Sequence, residues 1–323
     1  MNRTIWIIIG VLLVIGIGIG VFFAQKNKEI AAPASTNQTD TTTATPAKTG
    51  TWTAGKAAVA GNYADADIVA LANGQKRMYY SIEPEVPGNN LEMYSSLSSD
   101  GVTWTQESGI RRTMATFPDV IILPDKTFRM YFQNGGVIKS AVSTDGLTWT
   151  DESGTRIDKL NDLSLVFDNV AAPTTIIQND GTYVMVYRGT INTAYVGEKV
   201  PNQNTQLFLW ATSPDGLKWT KKGLAVDSRN STLYGLADGP ELFVWEDGTI
   251  KLSFWSYTGV YWSKFSTGTF SAPEKVFALA EATSMNKFPT PTPGDPVYAK
   301  FGSTWYMYYG LHQKGIYFAT YGS

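Results

Sequence analysis

The chain has 323 residues, a formal net charge of −2 and a 43% hydrophobic share, enough for one large core. No basic face is discernible, which argues against nucleic acid as a partner. There is no cysteine and only one histidine, His312. Disulfides, thiolate chemistry, a lipoprotein anchor and a multi-histidine metal site are thereby excluded, and a Ser-His-Asp triad has a poor basis.

Residues 5–24 are an apolar run without a charge, about the length of a membrane-spanning helix. Two readings fit it: an uncleaved signal anchor, and a signal peptide cut near Ala32-Pro33-Ala34. The run is long for a signal peptide, which favours the anchor. Gly16 and Gly20 form a GxxxG pair, although glycine is also common filler in such helices. Residues 31–49 are rich in Thr, Ala and Pro and lack the large apolar residues of a core. They read as an extended tether, which puts the rest of the chain outside the cytoplasm. The expected organisation is a short tail at 1–4, an anchor at 5–24, a linker at 25–49 and one domain at 50–323.

The domain reads as strands throughout. The first repeat has strands at 68–71, 77–81 and 91–96, then Asp100-Gly101-Val102-Thr103-Trp104. The second has 120–123, 128–132 and 137–142, then Asp145-Gly146-Leu147-Thr148-Trp149. The third has 174–177, 183–187 and 207–211, then Asp215-Gly216-Leu217-Lys218-Trp219. The fourth has 242–245, 250–255 and 259–264, then Phe270; the fifth has 297–301, 304–309 and 315–320 and stops. Each Asp-Gly pair predicts a tight turn, with glycine supplying a positive φ. Four antiparallel strands per unit, repeated, predict an all-β five-bladed propeller. The outer strand missing from the fifth repeat is expected from Gly50-Thr51-Trp52-Thr53, which closes the ring and removes two sheet edges.

Inner strands of a propeller begin near the axis and converge on one funnel. Their starts are Asp65-Ala66-Asp67, Phe117-Pro118-Asp119, Ala172-Pro173-Thr174, Asp238-Gly239-Pro240-Glu241 and Gly294-Asp295-Pro296. Four of the five carry a carboxylate, at a place where strands disfavour Asp. One such Asp is explained by turn capping. Several facing one cavity point to paired-carboxylate hydrolysis of glycosidic bonds. Arg188, ending a second strand, is positioned to reach a substrate hydroxyl or carboxylate, or to pair on the surface. Trp210, Trp245, Trp255, Trp262 and Trp305 suit sugar stacking or packing between blades. Arg111-Arg112 reads as a solvated loop or an anion contact. His312 is expected in a strand-connecting loop, and the polar insertion 192–205 as a rim.

From about Gly50 onward the chain resembles the five-bladed propeller glycoside hydrolases of the arabinanase, β-xylosidase, levansucrase and invertase group. Phe117-Pro118-Asp119-Val120 resembles that group's second-blade Ala-Pro-Asp-Val, and Asp238-Gly239-Pro240 its Glu-Gly-Pro. Asp65-Ala66-Asp67-Ile68 resembles its first-blade Asp-Pro-Ser-Ile. The resemblance implies a base or nucleophile at Asp65, with Asp67 as alternative, and a proton donor at Asp238, with Glu241 as alternative. Asp119 is expected to orient substrate or tune a neighbour's pKa, and Arg188 and Asp295 are expected to take part in substrate binding. Gly294-Asp295 falls where arabinanases hold a central ion with a Gly-His pair, so the resemblance requires no cofactor but allows a structural cation near the axis. Two departures stand out: Ala172 occupies the place of the third-blade Asp, and Asp238 that of the Glu. The expected protein is a membrane-tethered, extracytoplasmic glycoside hydrolase-like protein acting on a carbohydrate. The alternative is a propeller that binds carbohydrate or protein without catalysis.

Overall fold

A computed structural model describes residues 50–159, 165–193, 195, 204–279 and 293–322. The expected anchor and linker, and most of the insertion at 192–205, lie outside the described residues. Every regular element among the described residues is a strand. The strands form five antiparallel sheets, the five blades of a propeller.

Blade I comprises β2 (Tyr63–Ala70), β3 (Lys76–Ile82), β4 (Met93–Ser98) and β5 (Thr105–Gln106). Blade II comprises β6 (Thr116–Ile122), β7 (Phe128–Asn134), β8 (Val137–Ser143) and β9 (Thr150–Asp151). Blade III comprises β10 (Phe167–Ile177), β11 (Tyr183–Ile191), β12 (Thr205–Ser213) and β13 (Thr220–Val226). Blade IV has β14 (Asp238–Val244), β15 (Ile250–Ser256) and β16 (Gly259–Ser266), with its outer edge split between β17 (Thr269–Phe270) and β18 (Glu274–Phe277). Blade V has β19 (Gly294–Phe301), β20 (Thr304–Leu311) and β21 (Gly315–Gly322), and its outer strand is β1 (Thr51–Ala60). Trp52 pairs with Tyr321 and Ala60 with Gly315, so the start of the domain closes its last blade. The closing strand is ten residues long, more than the short match Gly50-Thr51-Trp52-Thr53 indicates. Its indole packs among Trp245, Trp262, Tyr298 and Tyr321, sealing blade V onto blade IV.

Blade follows blade through a repeated lock. In each Asp-Gly turn the Asp carboxylate accepts two backbone amides: for Asp145, Leu147 N at 2.7 Å and Thr148 N at 2.9 Å. The turn then offers its carbonyls to the preceding blade. Arg77 donates to Asp145 O and Tyr79 OH to Gly146 O, both at 2.8 Å. Arg129 and Tyr131 repeat this on Asp215 O and Gly216 O, and Tyr308 OH reaches Gly101 O. Gly146 is required twice over, for its φ of 71° and because a Cβ would meet Arg77 Nη1 and Tyr79 Oη. Each arginine is held by a bidentate carboxylate, Glu107 for Arg77 and Glu152 for Arg129. Arg111 is part of the same lock rather than solvated. It is 8% exposed and donates to the carbonyls of Ser108, Gly109 and Leu147. Arg112 lies over the Phe132 ring and pairs with Asp151.

Candidate active site

The site is made by one backbone device used five times. At the start of every inner strand the ladder skips two residues, between Ala64 and Asp67, Thr116 and Asp119, Ala171 and Thr174, Asp238 and Glu241, and Gly294 and Val297. The first skipped residue always has a positive φ: Asp65 at 54°, Phe117 at 54°, Ala172 at 45°, Gly239 at 57° and Asp295 at 46°. Four of these are not glycine, and a bulky side chain such as phenylalanine is strained there. Strain of this kind repeated round one axis marks a place where side chains are aimed for a purpose. The second skipped residue is Ala66, Pro118, Pro173, Pro240 or Pro296. Proline suits it because no ladder hydrogen bond is needed there.

The kinks sort the carboxylates into two sets. Asp67 and Asp119 follow the kinks and join neighbouring blades. Asp67 Oδ2 accepts from Val120 N of blade II at 2.7 Å, and Asp119 Oδ1 from Thr175 N of blade III at 3.2 Å. In blade III the same position is Thr174, whose hydroxyl accepts from Leu242 N at 2.8 Å and faces Glu241 Oε2 at 3.3 Å. Burial raises Asp67 to about 7 against the pull of the Val120 and Ile68 amides. Burial, then the charge of Asp67, holds Asp119 well above the usual carboxylate range. Burial, then Asp67 and Asp119, does the same to Glu241.

Asp65, Asp238 and Asp295 form the other set, with Arg188 among them. Asp238 is buried, and its Oδ1 and Oδ2 accept from Arg188 Nη1 at 2.6 and 2.7 Å. Its Oδ1 also accepts from Gly239 N at 2.8 Å. Arg188 lies 5.0 Å from the centre of the Phe117 ring, and its buried Nε has no hydrogen-bond partner. Asp65 and Asp295 are half-buried, each keeping surface on the axis while protein encloses the rest. Burial and the nearby charge of Asp238 raise Asp65 to about 7, against the opposing effect of Arg188. Burial, then Asp65 and Asp238, pushes Asp295 well above the ordinary range, opposed by Arg188 and the Trp255 indole. Trp255 Nε1 donates to Asp295 Oδ1 at 3.3 Å.

Asp65, Glu241 and Asp295 line an axial cavity with Ala66, Phe117 and Ala172. The centre of a water-sized sphere has about 30 Å³ to move in there. That is room for about two waters. The opposite mouth of the channel is larger, about 750 Å³, but is walled by Val69, Ile121, Ile122, Ile176 and Val244. Convergent acids occur at the narrow end, so that end is the candidate site. Among the described residues, the group of three ligand atoms close enough for one ion is Glu83, Glu85 and His312, and none is axial. Glu83 there accepts from Gln313 N with both oxygens. His312 lies in the turn between β20 and β21.

Of the residues expected at the site from sequence, Asp65, Glu241 and Asp295 share the cavity, Asp238 and Arg188 pair beside it, and Asp67 and Asp119 bind backbone amides. Phe117 adds a wall to the cavity, and Trp255, packed between blades IV and V, touches the site through its hydrogen bond to Asp295. Phe117 is found by aligning the five kinks, since it occupies the position of Asp65. Trp245, Trp262 and Trp305 belong to the packing between blades IV and V, and Trp210 to that between blades III and IV.

No protein-family model and no curated protein sequence matches the chain. Solved structures do. A candidate glycosidase of Bacteroides thetaiotaomicron VPI-5482 superimposes with a TM-score of 0.60 at 15% identity, over 81% of this chain and 87% of that one. A structure from the GH130 family of mannoside phosphorylases, described with hydrolases that target β-1,2 mannosidic linkages in Candida mannan, gives 0.58 at 16%, over 80% and 84%. The GH43_1 enzyme of Xanthomonas citri, complexed with xylotriose, gives 0.56 at 13%, over 81% and 89%. At these identities the likeness is one of fold: the chain has the five-bladed propeller on which those glycoside hydrolases are built.

Proposed function

We propose that the protein is a glycoside hydrolase-like enzyme that cleaves a glycan with paired axial carboxylates. The observation that carries this reading is the strained, five-fold kink that turns Asp65 and Asp295 into one cavity beside the Arg188–Asp238 pair. Strain stored around convergent acids is expected where chemistry is done, and is unexplained by folding alone. Asp65 serves as base or nucleophile: its position matches the first-blade Asp of the glycosidase pattern, and it lines the axial cavity. Asp67 and Asp119 act through the blades they join, holding neighbouring kinks in register. Phe117 offers an apolar face to a sugar ring.

The run at 5–24 and the linker after it support a single-pass anchor in the cell membrane with the propeller outside. Gly50, the first described residue, lies at the end of the blades away from the candidate site, because β1 runs from Gly322 toward Ala60 and the site-bearing start of β2.

A second reading is favoured by two observations. Ala172 fills the kink of blade III, and Asp238 is committed to Arg188. A propeller that binds a glycan without cleaving it fits both. The test is a screen of the full chain against aryl glycosides and polysaccharides, with calorimetric titration of the same sugars. Turnover that vanishes in Asp65→Asn supports the enzyme; binding without turnover supports the second reading.

A further inference from the structure

The glycosidase pattern puts the proton donor on the residue before Gly239, which is Asp238. Its oxygens already accept from a guanidinium and an amide at 2.6 to 2.8 Å. A carboxylate in that ion pair is an acceptor and has no O–H to give. The leaving group's proton must come from another acid beside the same cavity.

Blade V supplies one. Asp295-Pro296 repeats Asp65-Ala66 at the same ladder skip, with φ of 46° against 54°. Blades V and I adjoin, packing Val297 and Tyr308 against Met78 and Tyr80, so the two kinks are neighbours on the axis. Asp295 reaches its place over Gly239, where any Cβ would lie 2.3 Å from its Oδ1. Oδ1 takes the Trp255 indole N–H, and the other oxygen can carry the proton. Resting on the hydrolase reading, we infer that Asp295 is the proton donor, that Asp65 is its partner base, and that Arg188 and Asp238 position the substrate. Burial among Asp65 and Asp238 favours the protonated form of Asp295, as a donor requires.

In the step, the Asp295 carboxyl gives its proton to the glycosidic oxygen as the bond from that oxygen to the anomeric carbon breaks. A water adds to the anomeric carbon and passes a proton to Asp65. One water is consumed, one proton moves from Asp295 to Asp65, and exchange with solvent restores both.

The test uses the full chain and two variants, Asp295→Asn and Asp238→Asn. The probes are 2,4-dinitrophenyl and 4-methylphenyl β-xylosides and β-mannosides. A dinitrophenolate departs without a proton, whereas a methylphenol needs one. The expected result for Asp295→Asn is a loss of about 10³-fold on methylphenyl substrates and less than about 10-fold on dinitrophenyl ones. Asp238→Asn is expected to affect both alike. Leaving-group dependence in Asp238→Asn and not in Asp295→Asn overturns the assignment. If the wild type cleaves no glycoside, the hydrolase reading fails by itself, and the infrared carboxyl band then decides the donor's part. A wild-type-minus-Asp295→Asn difference spectrum at pH 6 that shows a protonated-carboxyl band supports Asp295 as the held acid; a difference spectrum showing only an ionised carboxylate at that position overturns it.

Discussion

Asp67 shows how one carboxylate serves structure and electrostatics together. It is buried, receives the Val120 amide across a blade boundary, and keeps its proton to about pH 7. Asp65 behaves alike, with a carboxyl raised to about 7. An unfolded aspartate ionises at about 4. Between those values these two groups bind more protons in the folded chain than in the unfolded one, so the stability they contribute falls as pH rises from about 4 through about 7. Urea midpoints at pH 5 and pH 8 should differ in that direction. Asp67→Asn, which still accepts the amide, should shrink the difference. Ala172 poses the opposite question, since its kink presents a methyl where blades I and V present an acid and blade II a ring. If the chain binds sugars without cleaving them, Ala172→Asp should raise turnover in the same glycoside assay, and unchanged turnover would remove Ala172 as the explanation.

At the level of elements, the lock between blades is a local machine with interchangeable parts. Glu152 holds Arg129 through two hydrogen bonds and also accepts from Ser140 Oγ, with Arg129 only 7% and Glu152 16% exposed in their side chains. Removing one member of a buried pair strands the other, at a cost of about 3 kcal/mol. Glu152→Ala and Glu107→Ala should each lower the urea-derived stability by that amount, without changing the secondary structure seen by circular dichroism. The Asp-Gly-Trp turns were legible in the sequence because turn chemistry is local. So was the closing strand, through its match to Gly-Leu-Thr-Trp-Thr. The lock was not: Glu107-Ser108-Gly109-Ile110-Arg111 and Glu152-Ser153-Gly154-Thr155-Arg156 are repeats too, but their glutamates bind arginines on another strand and their arginines reach carbonyls of the next blade. The split outer edge of blade IV was hidden because no Asp-Gly-Trp motif marks it. The acids were found at the strand starts, yet Asp65 and Asp67 could not be told apart. Two residues skipped from the ladder decide which faces the cavity and which binds an amide, and that skip is a tertiary fact. The Arg188–Asp238 pair spans 50 residues and two blades, and nothing local announces it.

For the whole molecule, closure is the weak point of any ring. Here it rests on β1 and on the indole of Trp52 within the aromatic packing of blades IV and V. Trp52→Ala should cost about 3 kcal/mol. Deleting 50–60 should expose the edge of β21 and produce aggregation, which light scattering would detect. The proposed anchor predicts that the chain sediments with membranes and that external protease cuts within 31–49 to release the propeller. A mature protein beginning near Ser35 would show a cleaved signal peptide instead. The candidate site depends on the closed ring, because Asp65 and Asp295 stand on opposite sides of the seam between the first and last blades. The measurement closest to the central claim is the turnover of Asp65→Asn against wild type on a sugar that both bind equally by calorimetry. The account predicts a loss of several orders of magnitude at unchanged affinity, about 10³-fold or more. Equal turnover in the two proteins, or binding with no turnover in either, would contradict it.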